Sequence, residues 1–240
     1  MTKTPETAED VAALLTHLRD KRGYLLPHHG LMAVASPELL TAYDATYTAL
    51  TLQDRTLTLY EKEIVWLIIL VSTGEAIATH HIDRLRKGGG GEAEVSAALA
   101  YAAWADGADR HAFVARHWGP HLESFDAIAS YREGLEVLRA RHGTERWVVE
   151  IGMAAAHQCH RHWDWVAEHI AGAYKAGAKE TAIAEGLSLA MFPGGVPNFV
   201  DACEVWRELI VGGKVEASAP FQAWAEMTGQ GGFDEASGKS

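Results

Sequence analysis

An internal repeat is the feature of this chain that most restricts its fold. Residues 81–118 align with residues 169–206 without a gap, at an offset of 88 residues, and nine of the 38 aligned pairs are identical. The identical pairs are His81/His169, Ile82/Ile170, Lys87/Lys175, Gly89/Gly177, Glu92/Glu180, Leu99/Leu187, Ala102/Ala190, Gly107/Gly195 and Trp118/Trp206. Upstream, an offset of 87 residues aligns Glu63 with Glu150. A repeat of this kind indicates two copies of one folding unit.

The apolar pattern predicts that both copies are helical. Apolar residues recur three and four positions apart, and no useful length of the chain alternates apolar and polar residues as a strand would. Ser36 followed by Pro37 is a helix start, and residues 59–87 predict one long helix or two before the glycines at 88–91. We therefore expect an all-α fold in which two fused helical units pack as a pseudo-dimer.

The repeat also predicts the domain boundaries. An N-terminal segment and the first unit take up residues 1–125, the second unit residues 126–212, and a tail residues 213–240. Residues 121–143 are interpreted as a connecting segment, and the helical pattern is lost after residue 212. The tryptophans that end the aligned segments, Trp118 and Trp206, are predicted to anchor the core.

Composition limits the partners. A net charge of −11 disfavours binding to nucleic acid, which usually needs a basic surface to displace counterions. The apolar run from Ile64 to Val71 has eight residues, whereas a membrane span takes about 20. The first residues do not resemble a secretory signal, so a cytoplasmic protein is expected. Cys159 and Cys203 are far apart in the sequence, and no structural disulfide is expected.

Histidines concentrate in the second copy, in an alanine-rich segment that predicts one continuous helix. On such a helix His162, Trp165 and His169 occupy positions i, i+3 and i+7, which is one side of the helix, and Gln158 extends that side. Imidazoles both accept and donate protons near neutral pH, so a shared side of this kind indicates acid–base chemistry. His157 and His160 lie off this side and are predicted at the surface or an interface.

The order Glu150, His162, Trp165 and His169, at separations of 12, 3 and 4 residues, resembles the carboxymuconolactone decarboxylase and alkyl hydroperoxidase D superfamily. The unit of that superfamily has a glutamate, a C-x-x-C pair and a histidine four residues later. This chain has His162 and Trp165 in place of the two cysteines, and Gly74 and Ile77 in the first copy. The resemblance covers about residues 36–120, here called the first copy, and 130–211, here called the second copy.

The resemblance implies a lyase or isomerase that works without an organic cofactor on a small organic acid or lactone. His162, His169 and Glu150 are the expected catalytic residues. Glu150 would fix the tautomer of an imidazole and raise its pKa, provided that a bend or a neighbouring helix brings the two side chains within hydrogen-bond reach. The expected substrate-binding residues are Trp165, Gln158, His81, His80 and Glu63. The resemblance also implies further assembly as a homo-oligomer, a trimer of pseudo-dimers.

Three alternatives remain open. The first is a peroxidase-like antioxidant that uses Cys159, the second is a metal-dependent lyase or hydrolase, and the third is a helical binding module without catalytic activity. The metal hypothesis is based on a group of closely spaced side chains that can bind metals, and a divalent ion would then be the only cofactor of the site. Those donors are His157, Cys159, His160, His162 and Asp164.

Overall fold

The computed structural model describes residues 5–238, and within that range the chain is all-α, as predicted. Thirteen α-helices are joined by short turns, with a π-helical turn at Thr48–Leu52 and a 3-10 turn at Gly119–His121. Within the described range, none of the helices has both the length and the apolar character needed to cross a membrane. The helices are α1 Ala8–Arg22, α2 Pro27–Ala35, α3 Pro37–Tyr47, α4 Leu59–Thr73, α5 His80–Lys87, α6 Glu92–His117, α7 Ala127–His142, α8 Arg146–His160, α9 Trp163–Lys175, α10 Glu180–Leu189, α11 Val196–Val211, α12 Ala219–Ala225 and α13 Gly232–Ala236.

The chain divides into two compact units, an N-terminal unit of residues 1–53 and a main unit of residues 54–240. In the N-terminal unit, α1 to α3 enclose a small core built on Leu18, Ala33 and Leu40. The guanidinium of Arg22 is buried there and donates to Asp44 from Nε at 2.9 Å and from a terminal nitrogen at 2.7 Å. The domain boundaries expected from the sequence stay predictions.

The main unit is built around a pair of equivalent helices, α4 and α8. Each has 15 residues, the two are offset by 87 residues, and each is followed by a residue in the left-handed conformation, Gly74 (φ 70°) and Arg161 (φ 61°). The two helices pack against each other. A β-carbon on Gly152 of α8 would lie 2.5 Å from Cδ1 of Ile68, so glycine allows this close approach.

The break after α8 corrects the prediction of one continuous helix through the histidine-rich segment. Arg161 adopts a left-handed conformation that non-glycine residues rarely take, and α9 then folds back against α8. Residues 59–87 likewise form two helices, α4 and α5. His162 and His169 therefore do not lie on one side of a long helix with Gln158.

The predictions for the segments outside the aligned copies were less accurate. The connecting segment contains α7, a helix of 16 residues, and the tail after residue 212 contains α12 and α13. Trp206 is a core residue as predicted, because Phe221 and Trp224 of the tail pack against it. The prediction for Trp118 is wrong: it is 57% exposed and is followed by the 3-10 turn at the surface.

Candidate active site

The helix break brings the glutamate and the histidine of the second copy together. Glu150 of α8 and His169 of α9 are 19 residues apart, and Nδ1 of His169 lies 2.7 Å from Oε2 of Glu150. Both side chains are buried. A carboxylate only accepts hydrogen bonds, so Nδ1 carries the proton and Nε2 of the neutral ring has a free lone pair.

Burial sets the protonation of His169. Removal from water lowers the pKa of His169 below its ordinary value, and the Glu150 carboxylate, which raises that pKa, offsets only part of the effect. Glu150 thus raises the pKa of this imidazole, as expected, but burial outweighs that effect. The ground state of the ring is neutral, with Nε2 ready to accept a proton.

A tyrosine completes the hydrogen-bonded row. Tyr131 of α7 places Oη 2.7 Å from Nε2 of His169, where its hydroxyl donates to the free lone pair. The side chain is fully buried, and burial raises the pKa of the Tyr131 phenol above its ordinary value. The result is a carboxylate, an imidazole and a hydroxyl in series, the order in which serine hydrolases arrange their catalytic groups.

An arginine neutralises the buried carboxylate. One terminal nitrogen of Arg132 donates to both oxygens of Glu150, at 2.9 and 2.8 Å, and Nε donates to Oε1 of Glu168 at 2.7 Å. Burial alone would raise the pKa of Glu150, but the hydrogen bonds and charges of His169 and Arg132 outweigh it, and the pKa is lowered. Gly172 leaves the room for this carboxylate, since a β-carbon there would lie 2.4 Å from Oε2.

His157 belongs to this cluster, and the prediction that it lies at the surface or an interface is wrong. Its side chain is buried and stacks on His169, with ring centroids 5.4 Å apart and planes at 15°, and on Trp165 at 5.9 Å. It points inward because α9 folds back over this side of α8. Burial lowers the pKa of His157 well below its ordinary value, so the ring is neutral.

His162 lies at the outer edge of the cluster as the residue that precedes α9. Its Nδ1 is 3.4 Å from Nδ1 of His157, and its Nε2 is 3.4 Å from Oδ2 of Asp109. His160 is exposed, as predicted, and its Nε2 lies 2.8 Å from the hydroxyl of Ser72.

Of the two residues expected to extend the site, one reaches it. Trp165 is buried with its ring 4.3 Å from that of Tyr131. Gln158 is buried elsewhere, on the side of α8 that faces α10, where Nε2 donates to the Leu187 carbonyl at 3.1 Å.

Two cavities flank the cluster. A cavity of about 470 Å³ is lined by Ala112, Ala115, Arg116, Ile128, Asp164, Trp165 and Glu168. A second, of about 390 Å³, reaches Glu150, and its lining includes Arg132, Glu136, Arg139, Arg146, Glu168 and Lys175. Trp165 and Glu150 therefore border open space, whereas His169 and Tyr131 lie behind them.

The first copy contains the equivalent pair. Nδ1 of His81 lies 2.6 Å from Oε2 of Glu63, and Nε of Arg84 donates to Oε1 at 2.5 Å. Both members of the pair are buried. The ring of His81 lies 4.7 Å from that of Trp66 and 4.4 Å from that of His80.

The donor residues considered for a metal do not converge. Among the described residues, no group of three or more His, Cys, Asp or Glu side chains is arranged to hold a metal ion. Cys159 and Cys203 are both free thiols. Burial raises the pKa of Cys159 to about 12 and that of Cys203 to about 11, which disfavours the thiolate at neutral pH.

Tyr131 and Arg132 are the site residues that the sequence analysis missed. Both lie in α7, within the segment interpreted as a connection. A signal was present: at the same offset of 88 residues, Ser36 aligns with Ser124 and Tyr43 with Tyr131. The repeat therefore begins earlier in the second copy than the glutamate and histidine alone indicate.

These features define a tandem all-α protein in which each copy carries a buried carboxylate–histidine pair. The chain belongs to the carboxymuconolactone decarboxylase family, whose model matches residues 37–118 and again residues 124–208. The two matches confirm a two-unit member and support a decarboxylase-like or alkyl hydroperoxidase D-like function at the level of the family. No curated protein and no solved structure matches the chain.

Proposed function

We propose that this protein is an acid–base lyase or isomerase that works without an organic cofactor on a small organic acid or lactone. The observation that carries the proposal is the row formed by Glu150, His169 and Tyr131, with two contacts of 2.7 Å. Arg132 keeps the carboxylate ionised, and the carboxylate keeps Nε2 of His169 free to exchange a proton with the Tyr131 hydroxyl.

The row can act in both directions. Loss of CO₂ from a β-keto or vinylogous acid leaves an enolate or dienolate that must be protonated at carbon. Tyr131 gives its hydroxyl proton to the substrate, and Nε2 of a protonated His169 gives its proton to the Tyr131 oxygen at the same time. In an isomerisation the first step runs the other way, and Tyr131 passes its proton to His169 as it takes one from the substrate. Glu150 stabilises the imidazolium in either case.

The cavity beside Trp165 is the proposed substrate site. Its polar lining consists of Arg116, which can pair with a substrate carboxylate, and of Asp164 and Glu168. Its apolar wall of Ile128, Ala112 and Trp165 weakens solvation of the reacting group. The Trp165 ring borders this cavity and contacts the rings of Tyr131 and His157, so the substrate reaches the buried hydroxyl only when the indole moves aside.

The first copy is proposed as a second site of the same kind, with Glu63 and His81 as its pair and His80 beside them. In the second copy His162 is proposed to exchange protons with His169, through residues described in the next subsection. Gln158 was predicted to bind substrate, but its bond to Leu187 gives it a packing role here.

The test is to measure turnover of a panel of β-keto acids and unsaturated lactones. The two readouts are CO₂ release and loss of the substrate chromophore. Glu150→Gln and His169→Gln are each expected to lower the rate about 10²- to 10⁴-fold, the range for a general acid–base group. Glu63→Gln and His81→Gln, assayed in parallel, identify which copy carries the reaction. Unchanged turnover in both Glu150→Gln and His169→Gln excludes the proposed role.

The same assay separates the alternatives. If the protein is a peroxidase, Cys159→Ser abolishes peroxide reduction. Because burial raises the pKa of the Cys159 thiol, we expect this substitution to leave peroxide reduction unchanged. A metal-dependent enzyme predicts a stoichiometric divalent ion by elemental analysis of protein purified without chelator. A binding module predicts ligand affinity without turnover.

A homo-oligomer, a trimer of pseudo-dimers, is also proposed. Exposed apolar side chains of the main unit, among them Leu99, Val137 and Val200, support burial against a partner. Light scattering coupled to size exclusion measures the mass directly, and a monomeric mass contradicts this proposal.

A further inference from the structure

The buried row does not end at Tyr131. Oη of Tyr131 also lies 3.5 Å from Nε2 of His157, whose Nδ1 is 3.4 Å from Nδ1 of His162. Nε2 of His162 in turn lies 3.4 Å from Oδ2 of Asp109. The side chains pass from fully buried at His169 to 27% exposed at His162 and 58% exposed at Asp109. The contacts therefore connect the interior to the surface.

One assignment of protons satisfies every contact. Glu150 accepts from Nδ1 of His169, so Nε2 of His169 accepts from the Tyr131 hydroxyl. The lone pairs of that hydroxyl then accept from Nε2 of His157, which leaves Nδ1 of His157 as an acceptor.

At the surface end, Nδ1 of His162 donates to His157, and Nε2 lies 3.4 Å from the carboxylate of Asp109, within ion-pair distance. Every hydrogen bond from His162 inward points the same way, with one proton in each, which is the arrangement that proton transfer along a chain requires.

We propose that Asp109, His162, His157 and Tyr131 form a path that carries protons between solvent and Nε2 of His169. His162 passes the proton on Nδ1 to His157, His157 passes the one on Nε2 to Tyr131, and Tyr131 passes its hydroxyl proton to His169. Solvent delivers a proton to His162 as its Nδ1 proton leaves, and the outcome is a protonated His169. One proton moves inward, no bond between heavier atoms changes, and no oxidant is needed.

The path answers a problem of access. His169 and Tyr131 are fully buried, so a reaction that consumes a proton there needs a route to replace it. The first copy differs at this point, because the position of His157 is occupied by Leu70 at the offset of 87 residues shared by α4 and α8. The use of the path in turnover rests on the proposed function, whereas its existence does not.

The test is the exchange of the Tyr131 hydroxyl proton with water, measured by NMR magnetisation transfer on the full-length protein without substrate. The Tyr101 hydroxyl is an internal reference, since it is also fully buried but donates to Thr144. The Tyr101 ring meets the His142 imidazole edge-on, with centroids 6.0 Å apart. Tyr131 is expected to exchange at least about tenfold faster than Tyr101, because imidazoles relay protons near neutral pH and a threonine hydroxyl does not. Equal rates in the wild-type protein overturn the proposal.

Two variants interrupt the path at different depths. His157→Phe keeps an aromatic ring in the stack and is expected to slow Tyr131 exchange about tenfold, whereas His160→Phe, outside the path, leaves it unchanged. His162→Ala is expected to slow exchange as well, and imidazole added to the solvent restores it because the site is partly exposed. Exchange in His162→Ala that is unaffected, or slowed but insensitive to imidazole, contradicts the path.

This experiment stands apart from the proposed function. Slowed exchange in His157→Phe, with normal turnover in Glu150→Gln and His169→Gln, retains the path and rejects the reaction. Unchanged exchange in His157→Phe, with turnover lost in Glu150→Gln, retains the reaction and rejects the path.

Discussion

The two copies hold the same carboxylate–histidine pair but take its cation from different helices. In the first copy Arg84 of α5, three residues after His81, donates to Glu63. In the second copy the aligned position is Gly172, and Arg132 of α7 donates to Glu150 instead. The pair is therefore the feature common to both copies, and its source of positive charge has changed between them.

The other side of the imidazole differs as well. His169 meets Tyr131 and stacks on His157, whereas His81 lies between Trp66 and His80. The tyrosine is repeated in sequence, but Tyr43 packs against His28 within the N-terminal unit, with ring centroids 4.9 Å apart. The spacing shared by the two copies thus specifies the carboxylate–histidine pair but not the side chains that contact the other face of the imidazole.

The largest effect is expected from removing the cation of the second copy. Arg132→Met leaves the Glu150 carboxylate buried without its partner, which costs about 3–5 kcal/mol in the free energy of unfolding. Urea denaturation measures this loss. The control is Arg146→Met, because the Arg146 side chain is 56% exposed and its pair with Glu136 contributes about 1 kcal/mol or less. Equal losses in the two variants contradict the assigned role of Arg132.

Removing one hydroxyl separates chemistry from packing. Tyr131→Phe is expected to lower turnover about 100-fold, because His169 loses the group with which it exchanges protons. The matched variant is Tyr101→Phe, which also removes a fully buried hydrogen bond, to Thr144. Each substitution costs about 1 kcal/mol of stability by thermal denaturation, and only the first changes the rate. A rate loss shared by both variants points to packing alone.

The histidines of the second copy make stability depend on pH. Burial lowers the pKa of His157 and His169 in the folded state, so the unfolded state binds more protons. Their contribution is complete above about pH 6.5 and is lost as the pH falls below it, by up to about 1.4 kcal/mol per pH unit for each ring. The pKa of Glu150 is lowered from 4.5, so its contribution is lost only at more acidic pH.

The measurement is the free energy of unfolding in urea at pH 7.5, 6.5 and 5.5. His157→Phe is expected to flatten the dependence, and His160→Phe to leave it as in the wild-type protein. If His157→Phe leaves the pH dependence of the free energy of unfolding unchanged, the His157 ring does not contribute to that dependence.

The smallest effect is expected at the ends of α4 and α8. Arg161→Gly is expected to add about 0.5–1 kcal/mol to the free energy of unfolding, because glycine adopts the left-handed conformation without a β-carbon penalty. Gly74→Ala, the reciprocal change in the first copy, is expected to subtract a similar amount. Shifts of the same sign contradict the equivalence of the two turns.

Local pattern predicted the helices, and the repeat placed a glutamate and a histidine at matching positions of both copies, but spacing alone left open whether Glu150 reaches an imidazole. It did not predict the break at Arg161, because no glycine marks it, and so Gln158 was placed beside histidines that face another way. It also missed Tyr131 and Arg132, which reach the pair from α7. Contacts between distant helices depend on how those helices pack, and apolar periodicity does not encode that packing.

Gly172 has an evolutionary consequence. A β-carbon there overlaps the Glu150 carboxylate, so any single replacement at residue 172 displaces the group that Arg132 neutralises. An arginine at residue 172, the position that aligns with Arg84, is therefore incompatible with the present place of the Glu150 carboxylate. We expect a homologue with an arginine at residue 172 to hold its carboxylate in another place and to vary at residue 132.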